Sequence, residues 1–392
     1  MITTVAGVVP AFLTGALGVQ MADGLGFEAA GLGAAVATFF GGAAVSSALM
    51  GRLVERIGPA RALRLGSLAS GALMGVLATA VHGYGPLLAV LGAAGVVNAM
   101  IQPATNLLLA RRVPSHRQGI AFAIKQSGMP LGTLVGGAAV PLVALTVGWR
   151  WAFAGGAALA AVAAATVPRP APRTGASAGR DHPTGRPRPF GPLAVLAIAV
   201  GLGAAAASGV VAFLVSGAVD AGLSPGTAGW TLTLGSAIGI AMRLVQGRLA
   251  DRRGARHLPV VASLLLGGAA AYGLLAIGAP WLYLAATPLA FGAGWAWPGL
   301  FNLAVVRSYA DAPGAATGVT QTGTYLGAVL GPLVFGVVVD AASYRAAWLL
   351  TALWTALAAL MMVVARRRVL ASRDRSPSSP WRGATPATPG AT

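Results

Sequence analysis

Gly247-Arg248-Leu249-Ala250-Asp251-Arg252-Arg253-Gly254-Ala255-Arg256 is a short charged stretch between two long apolar runs. A weaker copy, Gly51-Arg52-Leu53-Val54-Glu55-Arg56-Ile57-Gly58-Pro59-Ala60-Arg61, lies earlier in the chain. In both copies an acidic residue next to arginine lies between glycines. Such a stretch predicts a tight charged turn at a membrane surface, because glycine permits unusual backbone angles and close helix approach.

The composition is that of a polytopic membrane protein. The 392 residues are 56% hydrophobic and only 9% charged, and the mean hydropathy is +0.75. Soluble domains carry about 25% charged residues, so this chain lacks the polar surface needed to face water. Its apolar runs match the length of a helix that crosses a bilayer. The pattern predicts twelve spans, at about residues 3–21, 29–50, 62–81, 86–109, 118–143, 150–167, 191–216, 226–247, 258–278, 281–305, 314–338 and 345–365.

The net charge of +18 is a topology signal. Arginines concentrate in every second loop and in the tail, whereas the alternate loops hold only Arg150 and Arg345. This positive-inside bias predicts that both termini and the loop over residues 169–190 face the cytoplasm, in a multi-pass protein of the inner (cytoplasmic) membrane. We therefore expect the bilayer, and no nucleic acid, as a partner. We call the two ends of the helical bundle the inner-predicted end and the outer-predicted end accordingly.

The cysteine content and the N-terminus of the sequence allow two further predictions. The chain has no cysteine, so disulfide chemistry is excluded. The N-terminus lacks a basic region followed by a cleavage site, so we expect its first apolar run to be a retained helix. Because this run starts almost at Met1, a different start codon is an open alternative.

The charged stretches resemble the signature hairpin of the major facilitator superfamily, and the copy at 247–256 is the nearer of the two. The earlier copy departs from the family pattern at Glu55 and Pro59. The resemblance implies an all-α integral membrane protein whose 12 transmembrane helices form two pseudo-symmetric six-helix bundles. It also implies a conformational latch that closes the cytoplasmic side, made of Gly51, Glu55, Arg56, Gly58, Gly247, Asp251, Arg252, Gly254 and Arg256.

The two halves of the chain repeat. Gln126, Gly128 and Gly132 recur at a constant offset as Gln321, Gly323 and Gly327, and Pro103 and Arg150 recur as Pro298 and Arg345. Parallel repeats place a substrate site between two halves near the bilayer midplane. We predict an N-terminal half over residues 1–168, a flexible cytoplasmic linker over 169–190, a C-terminal half over 191–366 and a disordered tail over 367–392.

A glycine stripe in the fifth span resembles the glycine-rich motif of antiporters in the same superfamily. Gly128, Gly132 and Gly136 fall on one face, with Gly137 beside them, and Thr133 stands where that motif has proline. The stripe predicts close helix packing, with an antiport role as the equal alternative.

Lys125 is the most informative side chain inside a span, because a cation there costs about 2.5–3.5 kcal/mol at full depth. It either meets an anionic substrate or extends to the cytoplasmic headgroups. Arg243 is expected to extend to the headgroups, with substrate contact as the lesser alternative. Amides on one face of the fourth span either line a polar cavity or hold helices together, and the tryptophan pair of the tenth span either offers a flat surface to a solute or packs. The predicted substrate-binding residues are Lys125, Gln126, Asn98, Gln102, Asn106, Gln321, Tyr325 and Trp297.

No carboxylate occupies the middle of a predicted span. Proton coupling would therefore use Asp23 or Glu28, Lys125 or the substrate's own proton, and the remaining option is a uniporter. We see neither a histidine cluster for zinc nor a phosphate-binding loop, so we expect no enzyme, no cofactor and no metal.

The sequence thus predicts a monomeric secondary transporter of a small organic solute that works by alternating access, and Lys125 favours an anion. Drug or metabolite efflux by proton antiport is the alternative. A membrane sensor or receptor that binds without transport is the remote one.

Overall fold

The computed structural model describes residues 1–114, 121, 124–167, 190–252, 257–309 and 313–374. These residues form helices and turns, and no strand occurs among them. The helices are α1 (Ile2–Ala16), α2 (Gly18–Leu25), α3 (Ala29–Ile57), α4 (Pro59–Thr79), α5 (Tyr84–Arg112), α6 (Gly128–Ala139), α7 (Trp149–Thr166), α8 (Phe190–Asp220), α9 (Pro225–Arg252), α10 (His257–Leu275), α11 (Pro280–Leu289), α12 (Pro298–Ser308), α13 (Pro313–Ala341) and α14 (Tyr344–Asp374).

Most of these helices can cross a membrane. In the described part of the chain, 10 helical segments are long and apolar enough, and the number is 11 if α1 and α2, bent by 73° at Leu17, count as one span. The helix α7 lies outside this set, although its 18 residues coincide with the sixth predicted span. Each of the twelve predicted spans thus contains helix where the structure describes it, although short non-helical breaks interrupt some of them, including the first and the tenth.

Two helices contain a π-helical turn. Val140–Ala144 continues α6, and Ala290–Gly294 continues α11. After the second π turn the chain leaves the helix at Trp295 and resumes at Pro298, so α11 and α12 form one broken span. Its repeat partner α5 carries Pro103 but stays continuous. The break is thus a feature of the C-terminal half alone.

The predicted boundaries needed two corrections. Residues 51–57, expected to form part of a loop, complete the last two turns of α3, and the turn to α4 consists of Gly58 alone. Gly58 has φ 87° and ψ 149°, a conformation that essentially only glycine adopts. The helix α14 continues to Asp374, past the predicted start of the tail. Residues 168–189 and 375–392 lie outside the described residues.

Each half is packed around its first long helix through a glycine stripe. A Cβ at Gly132 would lie 2.9 Å from the ring of Phe12 in α1, and a Cβ at Gly136 would lie 3.0 Å from the Phe12 carbonyl oxygen. The repeat positions in α13 face α8 in the same way, since a Cβ at Gly327 would lie 2.0 Å from the Gly201 carbonyl oxygen. The sequence repeat is therefore also a repeat of helix packing.

The two halves touch through backbone at the outer-predicted end. A Cβ at Gly33 in α3 would lie 2.2 Å from the Pro332 carbonyl oxygen in α13. On the other side of the bundle, a Cβ at Gly137 in α6 would lie 2.7 Å from the Gly229 carbonyl oxygen in α9. Glycine at these positions allows the helices to approach to a distance that any side chain would prevent.

Candidate functional site

Near the middle of the bundle, two pairs of side chains join the N-terminal half to the C-terminal half. Thr133 Oγ1 and Ser236 Oγ lie 2.8 Å apart, both fully buried, between α6 and α9. The rings of Phe12 in α1 and Trp295 pack edge to face, with centroids 6.3 Å apart. On the inner-predicted side of these pairs, Lys125 bonds to Gln126 and Arg307 bonds to His257, each within its own half.

Lys125, the single lysine of the chain, lies on the inner-predicted side of this level. It precedes Thr133 by eight residues, about 12 Å along a helix axis, and its side chain is only 7% exposed. Its Nζ donates to Gln126 Oε1 at 3.2 Å, and it lies close enough to the Met1 amino group for the two charges to repel each other. Two of the predicted substrate residues are thus in direct contact.

Arg243 lies at a similar level in α9, seven residues beyond Ser236 or about 10 Å. It was expected to extend to the headgroups, but its Nη2 donates to the Trp295 carbonyl oxygen, and its guanidinium lies 4.6 Å from the centre of the Trp295 ring. The other terminal nitrogen, Nη1, is buried and has no hydrogen-bond partner among the described residues. One turn further, Gln246 is 7% exposed, and neither atom of its amide has a partner there.

Helix direction explains why the two cations behave differently. Side chains on a helix tilt toward its N-terminus. The N-terminus of α6 lies at the inner-predicted end, so Lys125 tilts toward the membrane surface. The N-terminus of α9 lies at the outer-predicted end, so Arg243 tilts toward the midplane. The sequence interpretation considered only the distance of each cation from the end of its span.

The amides of α5 contact protein as well as one another. Gln102 Nε2 donates to Asn98 Oδ1 at 3.4 Å, and Asn98 Oδ1 would lie 3.0 Å from a Cβ at Gly7 in α1. Asn98 is buried, whereas Asn106 is exposed. The inner-predicted end of the stripe is thus open and its middle is packed against α1.

The predicted substrate-binding residues of the C-terminal half also comprise both exposed and buried side chains. Gln321 is exposed, with the half-buried Tyr325 beside it. Trp297 is buried, donates from Nε1 to the Gly294 carbonyl oxygen at 2.9 Å, and would touch a Cβ at Gly203 in α8. Trp297 therefore packs inside its own half in this conformation. None of these three residues lines the apolar groove of about 540 Å³ between α8, α13 and α14.

The predicted latch is described only in part. Gly51, Glu55 and Arg56 lie on the last two turns of α3, and Gly58 forms the turn that follows. Gly247 lies in α9, and Asp251 and Arg252 are the last two residues of this helix. Gly254 and Arg256 lie outside the described residues. The latch therefore stays a prediction.

A residue outside all predicted sites joins the halves at the outer-predicted end. The N–H groups of Ala29 and Ala30, at the start of α3, donate to the Asp340 carboxylate in α13 at 3.2 and 2.7 Å. Glu28, at the N-cap position of α3, makes no side-chain capping bond. Asp340 thus caps the first helix turn of the opposite half, where a negative charge is favourable.

Comparison with known proteins agrees with this architecture. Over 131 residues the chain is 32% identical to the probable anion transporter 3, chloroplastic, of Arabidopsis thaliana, and the match covers 33% of this chain and 26% of that protein. A bacterial homolog to the human lysosomal transporter Spinster, solved in an inward-facing and occupied conformation, superposes with a TM-score of 0.76 at 16% identity over 95% of this chain and 96% of its own. The nucleoside transporter NupG gives a TM-score of 0.70 at 16% identity, over 93% and 98%.

The family follows from the sequence profile as well as from the fold. The profile of the Major Facilitator Superfamily matches residues 1–216 and again residues 193–389, one match for each half. The predicted fold class is confirmed, because the described helices form the two bundles of that superfamily. This chain belongs to the Major Facilitator Superfamily of membrane transporters.

Proposed function

We propose that the protein is a secondary transporter that carries a small organic anion across the inner (cytoplasmic) membrane by alternating access. The observation that carries this proposal is the one-sided contact between the halves. The close backbone approaches at Gly33, between α3 and α13, and at Gly137, between α6 and α9, both lie toward the outer-predicted end. Two bundles that rock about a central site alternate between such a state and its opposite.

The orientation of the chain completes the proposal. The arginine-rich loops lie at the inner-predicted end, so the positive-inside rule supports a state that is open to the cytoplasm. The transported solute would enter the space below Thr133 and Ser236. Its release on the other side requires the contacts of Gly33 and Gly137 to separate.

The anionic character of the solute is supported by the charges near this space. Lys125 is buried and Arg243 is half-buried with a buried Nη1, and the hydrogen-bond acceptors described for them, the Gln126 amide and the Trp295 carbonyl, are uncharged. A buried cation without a counter-charge is costly, so an anionic solute would offset that cost. The likeness to an anion transporter over part of the chain points in the same direction.

Efflux of a drug or metabolite by proton antiport is the second candidate. The glycine stripe that resembles the antiporter motif favours it, although Gly132 and Gly136 are already used in packing against α1. A sensor or receptor function has no separate observation in its favour.

Counterflow in proteoliposomes tests the function. Vesicles with the purified protein are loaded with an unlabelled organic acid, sugar, amino acid or lipophilic cation, and entry of the labelled solute is measured. We expect entry for organic acids, a loss in Lys125→Met and recovery in the matched control Lys125→Arg. Entry of lipophilic cations alone would transfer the assignment to drug efflux, and no entry of any solute would contradict transport.

A further inference from the structure

The geometry points to a carboxylate-binding subsite formed by Arg243 Nη1 and the Gln246 amide, beneath the Trp295 ring. This inference deepens the proposed function and rests on it, because it names the group that the transporter recognises. The ligand is the carboxylate of a small organic acid with an apolar body.

The first step is the unused donor capacity of Arg243. A guanidinium has five N–H donors and no acceptor. The Trp295 carbonyl accepts from Nη2, while Nη1 is buried and donates to none of the described residues. Leaving a buried charged donor unpaired is expensive, and a carboxylate is the group whose geometry a guanidinium matches best.

The hydrogen bond from Arg243 Nη2 to the Trp295 carbonyl oxygen has a structural cause that does not involve Nη1. The burial of Nη1 without a partner therefore needs a separate explanation. The π turn at Ala290–Gly294 and the break before Pro298 free the Trp295 carbonyl from helical hydrogen bonding. Arg243 Nη2 satisfies this carbonyl. A single donor would have been sufficient for that purpose, and π turns of this kind frequently occur at functional sites.

The second step is the amide of Gln246. It lies three residues after Arg243, on the next turn and the same side of α9. Its Nε2 and Oε1 are both buried without a partner among the described residues. An amide N–H beside a guanidinium supplies a second donor to a carboxylate, so both orphaned groups are satisfied by one ligand.

The third step concerns the body of the ligand. The surroundings of the guanidinium are aromatic: Trp295 packs edge to face on Phe12 at 6.3 Å and on Phe291 at 5.5 Å. Because Phe12 belongs to the N-terminal half and Trp295 to the C-terminal half, a ligand here lies beside a contact between the two moving parts. An apolar or aromatic body therefore fits beside the carboxylate better than a sugar or a second charge.

The test compares acids with their uncharged amides. Melting of the purified full chain in detergent is followed with benzoate, benzamide, hexanoate and hexanamide at constant ionic strength, since a ligand of the folded state raises the melting temperature. We expect stabilisation by the acids only. Arg243→Gln should lose it, and Gln246→Leu, which keeps the Arg243–Trp295 bond, should weaken acid binding about tenfold. Arg345→Gln, which removes an exposed arginine at the outer-predicted end, should keep it.

Two results would overturn the inference. One is equal stabilisation by acids and amides, or by neither. The other is full acid binding in Gln246→Leu and in any folded Arg243 variant. The melting assay measures binding without transport, so loss of acid binding in these variants supports the subsite even if counterflow fails. Conversely, counterflow of another class of solute would support the transporter assignment even if the subsite is wrong.

Discussion

Replacing Asp340 with alanine should open the outer-predicted end of the protein. The carboxylate accepts two N–H groups at the start of α3 in the opposite half, so it stabilises only the conformation in which this end is closed. A side-chain cap at a helix N-terminus contributes about 1 kcal/mol, and the favourable charge at an exposed helix end adds about 0.3–1 kcal/mol. Asp340 is exposed, so solvent screening keeps the sum near 1 kcal/mol. The ratio of closed to open molecules should then fall about fivefold.

Spin labels measure this ratio directly, because the chain has no cysteine of its own. Labels at Thr79→Cys and Ile277→Cys lie on exposed positions of the outer-predicted end, one in each half. Pulsed electron resonance gives their distance distribution in detergent or nanodiscs. Asp23→Ala is the matched control, since Asp23 is exposed at the same end and its carboxylate makes no hydrogen bond to another described residue. A distribution that is unchanged in Asp340→Ala, or that shifts equally in Asp23→Ala, would refute the reasoning.

Three further substitutions test the packing. Gly137→Ala puts a methyl group 2.7 Å from the Gly229 carbonyl oxygen, so the same label pair should report opening, and a wild-type distribution would contradict the close contact of the halves. Gly58→Ala places a side chain at φ 87°, at a cost of about 1–3 kcal/mol; the melting temperature should fall, while Gly85→Ala, at a position with free space around it, should leave it unchanged apart from helix propensity. Arg150→Gln removes the guanidinium donors to two carbonyl oxygens at the end of α4, at a cost of about 1–3 kcal/mol, and Arg150→Lys should recover part of the lost melting temperature; equal stability of wild type and Arg150→Gln would count against this role.

The spans and the repeat could be predicted because they depend on local composition. A run of apolar residues long enough to cross the bilayer has few alternatives to a helix, since every backbone polar group must be satisfied within the segment. The glycine stripe at Gly128 and its repeat at Gly323 were visible as spacing. The structure adds the partner helix on which each stripe packs.

The contacts between the halves could not be predicted, because they join positions that are distant in the sequence. Nothing near Asp340 in the sequence distinguishes it from the other acidic residues at helix ends, and its partners Ala29 and Ala30 lie in the opposite half. The prediction that residues 51–57 form part of a loop was wrong for a different reason. Charged residues at a membrane surface are compatible with both a loop and the last turns of a helix. Only Gly58 was required to leave the helix.

The site was predicted in part. Lys125 drew attention because it is a cation in an apolar run, and the same signal was present at Arg243. The sequence interpretation did not combine the direction of each helix, which follows from the predicted topology, with the tilt of side chains toward the helix N-terminus. The break at Trp295 is harder to foresee, since the equivalent helix of the other half has a proline at the same repeat position and remains continuous.

The backbone contacts of Gly33 and Gly137 have a thermodynamic consequence. Glycine has no side chain whose rotamers must be frozen when the halves meet, and contact between two backbones removes little apolar area from water. The closing step should therefore have a small heat-capacity change and a small side-chain entropy cost. The populations of the two access states should then vary little between cold and warm conditions, so that cooling slows the protein through its rates and leaves its resting conformation nearly the same.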